Sequence, residues 1–139
     1  MSNALQYLGI AKKAGLLETG EENTHLAVKK GSARLLIVAS NSSENAKKRA
    51  SGYVWEGKLP ITTVPYTKAE ISSLTGKAGC SMAVILDAGL ASSFASALFQ
   101  EYGEQYGELA EDLKQRLDAE KSRKQRSVTK SAGKRRKKV

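Results

Sequence analysis

Along the first hundred residues, short apolar runs alternate with stretches whose apolar positions recur every three or four residues. Leu5 and Leu8, with Lys12 and Lys13, give a first helix an apolar and a basic face, and Gly15 ends it. The run Leu35-Leu36-Ile37-Val38-Ala39 is too brief for a helix and suits a buried strand. Ile61-Thr62-Thr63-Val64 is β-branched and bracketed by Pro60 and Pro65, which also leaves only a strand. Met82-Ala83-Val84-Ile85-Leu86 is the third such run.

Helix-opening signals lie between these runs. Thr19-Gly20-Glu21-Glu22 has the form of a capping box, opening a helix that buries Leu26, with Ala27 or the stem of Lys30 beside it, and ends at Gly31. Ser40-Asn41-Ser42-Ser43 is a polar loop that caps a helix from about Glu44 to Trp55. Thr67-Lys68-Ala69-Glu70 is a second box, placing Ile71 and Leu74 inward, and Asp87 caps the helix after the third strand. Alternating helices and strands predict an α/β fold. A final stripe runs through Leu90, Phe94, Ala97, Leu98, Tyr102, Tyr106, Leu109, Leu113 and Leu117, with a bend or break expected at Gly103 and Gly107. Beyond residues 1–100, the charge pattern marks off an acidic helical extension over 101–120 and a disordered basic tail over 121–139.

Charge sharpens this picture. The formal net charge is +9, and residues 121–139 hold ten basic side chains and no acid. The tail cations Lys121, Arg123, Lys124, Arg126, Lys134, Arg135, Arg136, Lys137 and Lys138 predict sequence-blind contact with a polyanion, most simply RNA. Residues 101–120 carry seven acids and two bases, and this acidic segment is expected to hold the tail when RNA is absent. No apolar run reaches the length of a transmembrane helix, the start of the chain lacks a secretory layout, and the single Cys80 excludes an internal disulfide. These features predict a cytoplasmic protein that does not enter a membrane.

Catalytic constellations are missing. His25 is the only histidine, and Cys80 reads as a small buried hydrophobe. Gly76-Lys77-Ala78-Gly79 lacks the Ser/Thr and spaced glycine of a phosphate loop. No metal-ligand spacing is present.

Against this background, LGIAKKAGLLETGEE (Leu8 to Glu22), KKGSARLLIVASNSSEN (Lys29 to Asn45), AEISSLTGKAG (Ala69 to Gly79) and SMAVILDAGLA (Ser81 to Ala91) resemble the ribosomal protein L-seven-Ae family of kink-turn RNA binders, nearest its bacterial YlxQ-type paralogues. The likeness spans about residues 4–99. It implies a three-layer α-β-α sandwich around a mixed four-stranded sheet, with a fourth strand at Leu16–Glu18. It also implies no catalysis and no cofactor. In that family a G-x-N-E-x-x-K sequence opening the second helix grips the RNA kink. Here Gly20 matches, Glu22 and Asn23 hold the two polar positions in exchanged order, and Leu26 stands where the family has lysine. The apolar loop before the last strand corresponds to Ala78, Gly79, Cys80 and Ser81, with Asn41 flanking the same surface. Lys12, Lys13, Lys29 and Lys30 are expected to supply the cations that Leu26 does not. The resemblance thus implies a monomer bound to structured, kink-turn-like, ribosomal RNA, with ribosomal proteins as further candidate partners. The alternative is a protein-interaction adaptor that keeps the fold without specific RNA recognition.

Overall fold

The structure is a computed structural model describing residues 3–76 and 80–137, with side chains described except at 56, 57 and beyond 123. Helix α1 (Asn3–Lys13) leads into β1 (Leu17–Thr19), α2 (Glu21–Lys29), β2 (Leu35–Val38) and α3 (Glu44–Gly57). Then follow β3 (Ile61–Thr63), α4 (Lys68–Thr75), β4 (Met82–Ile85), α5 (Ala88–Tyr102), a 3-10 turn (Glu104–Tyr106) and α6 (Gly107–Lys137). The strands form one mixed sheet in the order β1-β4-β2-β3. β4 is antiparallel to both β1 and β2, and β2 is parallel to β3.

The α/β reading and the sandwich follow from residue alternation within the strands. Leu35, Ile37, Ala83 and Ile85 face one side, where they meet Leu8 of α1, Ile71 of α4, Phe94 and Leu98 of α5 and Leu113 of α6. Leu36, Val38, Met82 and Val84 face the other side, against Ala27 of α2 and Ala46 and Ala50 of α3. The strands read from their apolar runs all form, and the fourth lies at Leu17–Thr19, one residue later than the resemblance implied.

Three helix caps appear where short polar signals predicted them. Ser43 accepts from the Ala46 amide, Asp87 accepts from the Leu90 amide, and Thr67 and Glu70 complete a reciprocal capping box. The first predicted box does not form. Thr19 is instead the last residue of β1, buried and paired with Ala83, and Gly20 is the N-cap with no side-chain capping bond. Sheet pairing outcompetes the local cap because it satisfies the Thr19 region inside a buried ladder.

The last stripe packs back onto the body. Gly103 (φ 94°, ψ −158°) breaks it, and the Tyr106 hydroxyl donates to the Thr63 carbonyl at 3.2 Å. α6 then runs antiparallel to α5 with Leu113 buried. The sequence reading stopped this element at residue 120, but its backbone stays helical through Lys137. The reason is compositional: Ala, Lys, Arg, Gln and Glu are strong helix formers, and the docked first half supplies the nucleus that an isolated tail lacks. The side chains that would make the expected contact with the acidic segment lie mostly beyond residue 123, outside the described side chains. Lys138 lies outside the described residues.

Candidate nucleic-acid interface

Sheet topology gives the molecule two distinct ends. At one, the end of β1, the end of β2 and the start of β4 converge. The Gly20 amide donates to the Met82 carbonyl at 3.0 Å, and the Ala39 amide donates to the Ser81 carbonyl at 2.9 Å. The Ser42 hydroxyl also donates to the Ser81 carbonyl, at 2.7 Å. Asn41 accepts from the Lys68 amide at 2.8 Å and so ties this corner to the start of α4. Gly20, Asn41 and Ser81, together with Cys80, therefore lie at the same end of the sheet as the opening of α2. Gly79 lies outside the described residues.

The first intrahelical bond of α2 runs from the Thr24 amide to the Gly20 carbonyl at 3.0 Å. The amides of Glu21, Glu22 and Asn23 thus come before the hydrogen-bonded ladder, and among the described residues no side chain caps them. Three amides at a helix start, ahead of the hydrogen-bonded ladder, can donate to an anion. Asn23 is exposed, and its amide nitrogen donates to the Thr19 carbonyl at 3.2 Å, which orients its oxygen-bearing face. Glu22 is exposed. The Cys80 thiol is not at the surface: it is buried 3.6 Å from the Thr75 hydroxyl.

Two expected placements change. Leu26 is 49% exposed rather than buried, because α2 turns Thr24, Ala27 and Val28 inward. It shares a shallow surface with Asn23 and Lys30. Lys12, Lys13, Lys29 and Lys30 do not surround Gly20. They close α1 and α2, whose last turns lead to Leu17 and Arg34 at the opposite end, where Leu17 pairs with Ile85 and the Arg34 amide donates to the Ile85 carbonyl. Lys121 and Arg123 are exposed on α6 beyond that same end, where Glu120 meets Arg34. Lys124, Arg126, Lys134, Arg135, Arg136 and Lys137 follow along the helix backbone.

A cluster that local sequence motifs do not reveal decides the charge at the α2 start. Arg49 of α3 forms an ion pair with Glu21, and the Tyr53 hydroxyl donates to the same carboxylate at 3.1 Å. The His25 and Tyr53 rings stack with centroids 4.1 Å apart. Burial, then the Glu21 hydrogen bond, raises the Tyr53 pKa above 10.0. Glu21 therefore faces α3, and its charge is offset, leaving Glu22 as the exposed acid of the first turn. The available signal was the pair of i,i+4 spacings, Glu21–His25 and Arg49–Tyr53, each of which places two side chains on one helix face.

Among the described residues, no group of His, Cys, Asp and Glu could hold a metal ion, and no helix is long and apolar enough to cross a membrane. No protein-family model matches the chain. The RNA-binding protein YlxQ of Enterococcus faecium is 34% identical over 74 residues, covering 53% of this chain and 71% of that protein. The chain belongs to the YlxQ group of the ribosomal protein L-seven-Ae family. A solved structure of a protein of unknown function from Bacillus halodurans C is similar to this fold, with a TM-score of 0.65 and 26% identity, covering 70% of this chain and 98% of that one.

Proposed function

We propose that this protein is a non-catalytic RNA-binding protein that recognises a kinked, ribosomal RNA element at the start of α2. The observation that carries the reading is the trio of uncapped amides at Glu21, Glu22 and Asn23, set beside Asn41 and Ser81 on an exposed corner. These amides suit a phosphate, and Asn23 has an amide group able to read a purine edge. The Arg49–Glu21 pair removes one of the two charges that would repel an RNA backbone there. Leu26 supplies no cation, so the family lysine's contribution has to come from elsewhere. Membership beside a protein named for RNA binding supports the same reading. The basic C-terminal segment adds affinity that is steeply salt-dependent and blind to sequence.

The test compares binding of a kink-turn RNA with a duplex whose sheared pairs have been replaced. The full chain should prefer the kinked RNA, and Asn23→Ala should reduce that preference by roughly tenfold, the size of one lost base contact. An equal loss on both RNAs would remove shape recognition from the α2 start. A second reading, a protein-interaction adaptor, is favoured by the half-exposed Leu26 at the family's lysine position. It expects a protein partner that survives RNase treatment and is lost in Leu26→Lys.

A further inference from the structure

We infer that the protein has a second RNA-contacting surface, a basic groove at the Arg34 end of the sheet that seats the phosphate backbone of a helical arm flanking the kink. This rests on the RNA-binding reading above but uses different residues on the opposite end of the fold.

The groove has a volume of about 580 Å³ and lies between α6 and the turns that follow α2 and α3. Its basic lining is Arg34, Lys58, Arg116 and Arg123, and Glu120 is its one acid among the described residues. Glu120 is already occupied by Arg34 at 3.4 Å. Arg34 also donates to the Gly31 and Ala33 carbonyls, and Arg116 donates to Asp112 and to the Lys58 carbonyl. Both guanidiniums are thus held in place before any ligand arrives, which lowers the ordering cost of binding. No ion pair engages Lys58 or Arg123 among the described residues. A concave basin with excess positive charge over an apolar floor (Val28, Leu59 and Leu113) concentrates the field outward and favours a polyanion over a neutral partner.

Geometry selects the occupant. α6 lines the groove as far as Arg123 and continues for fourteen residues to Lys137, so the basic segment of the sequence leads directly on from the groove. α2 joins the two ends of the fold, and its nine residues span about 13 Å. A single bent RNA can therefore touch the α2 start with its kink and the groove with one arm.

The experiment uses the full chain and a double variant, Lys58→Asn with Arg123→Gln. Asparagine suits the left-handed backbone of Lys58 (φ 53°), and neither replaced side chain holds an ion pair among the described residues. A control variant, Lys48→Gln with Lys114→Gln, removes two exposed cations elsewhere. Affinity for a plain RNA duplex of about 20 base pairs is measured from roughly 50 to 200 mM salt. The groove variant should bind the duplex about tenfold more weakly near 100 mM salt, and its log–log salt slope should shrink by about two. The control should lose less than half as much. An unchanged slope, an equal loss in the control, or no duplex binding by the full chain would overturn the groove. If the full chain fails to prefer kinked RNA over duplex, the α2 reading falls instead, and the duplex comparison still decides the groove.

Discussion

Gly20 adopts φ 92° and ψ 157°, a backbone region that is essentially closed to residues with a Cβ. A Cβ there would meet nothing within 4 Å, so the cost of Gly20→Ala is conformational rather than steric crowding against a neighbour. That variant should lose about 1–3 kcal/mol in denaturant unfolding. Gly52, inside α3 with open space around it, should gain about 0.5–1 kcal/mol as Gly52→Ala in the same assay. Thr24 offers a third test. Its hydroxyl is fully buried and has no hydrogen-bond partner among the described residues, so the near-isosteric Thr24→Val should raise stability by about 1 kcal/mol. Gly20 stood out in the sequence only through the family resemblance, since the local pattern put the cap at Thr19. The orientation of Leu26 was not legible, because a short helix with few apolar residues fixes its rotation through packing against the sheet rather than through its own periodicity.

The caps at Ser43, Thr67 and Asp87 and the apolar strands were readable because each depends on residues a few positions apart. The Glu21–Arg49–Tyr53–His25 cluster was not, since it arises only when α2 and α3 lie side by side. Its titration has a definite sign. Burial holds Tyr53 and Tyr106 above 10.0, so the folded state keeps their protons longer than the unfolded chain does. Their contribution is complete below pH 10 and disappears as pH rises through the folded-state values. Stability should therefore decline on the alkaline side of pH 10. In a 295 nm absorbance titration, Glu21→Gln should move Tyr53 towards 10.0 without abolishing the shift, because burial is its larger cause. The α5–α6 hairpin depends on Leu113, which is 2% exposed. Leu113→Ala should cost about 2–5 kcal/mol and open α6 to proteolysis before the sheet.

For the whole molecule, the sequence located the charge but not its geography. Lys12, Lys13, Lys29 and Lys30 are near neighbours of the Gly20 motif in chain order. The topology nevertheless places them at the Arg34 end, because α1 and α2 both finish there. That separation required the antiparallel pairing of β4 with β1 and β2, which no local pattern encodes. On the function proposed above, it also divides affinity from recognition. Removing residues 124–139 should flatten the salt dependence of RNA binding while leaving the ratio of kinked RNA to duplex affinity unchanged, as measured by anisotropy titrations at two salt concentrations.

β4, between β1 and β2 in the sheet, is the last strand to be synthesised. Until Met82–Ile85 emerges from the ribosome, β1 has no neighbour to join it to the β2–β3 pair, and Leu17 must wait for Ile85 across most of the chain made so far. Closure of that long loop is the slow step expected of distant pairings. Nascent chains arrested before residue 82 will therefore lack the cooperative, protease-resistant core, which will appear abruptly once β4 is free to insert.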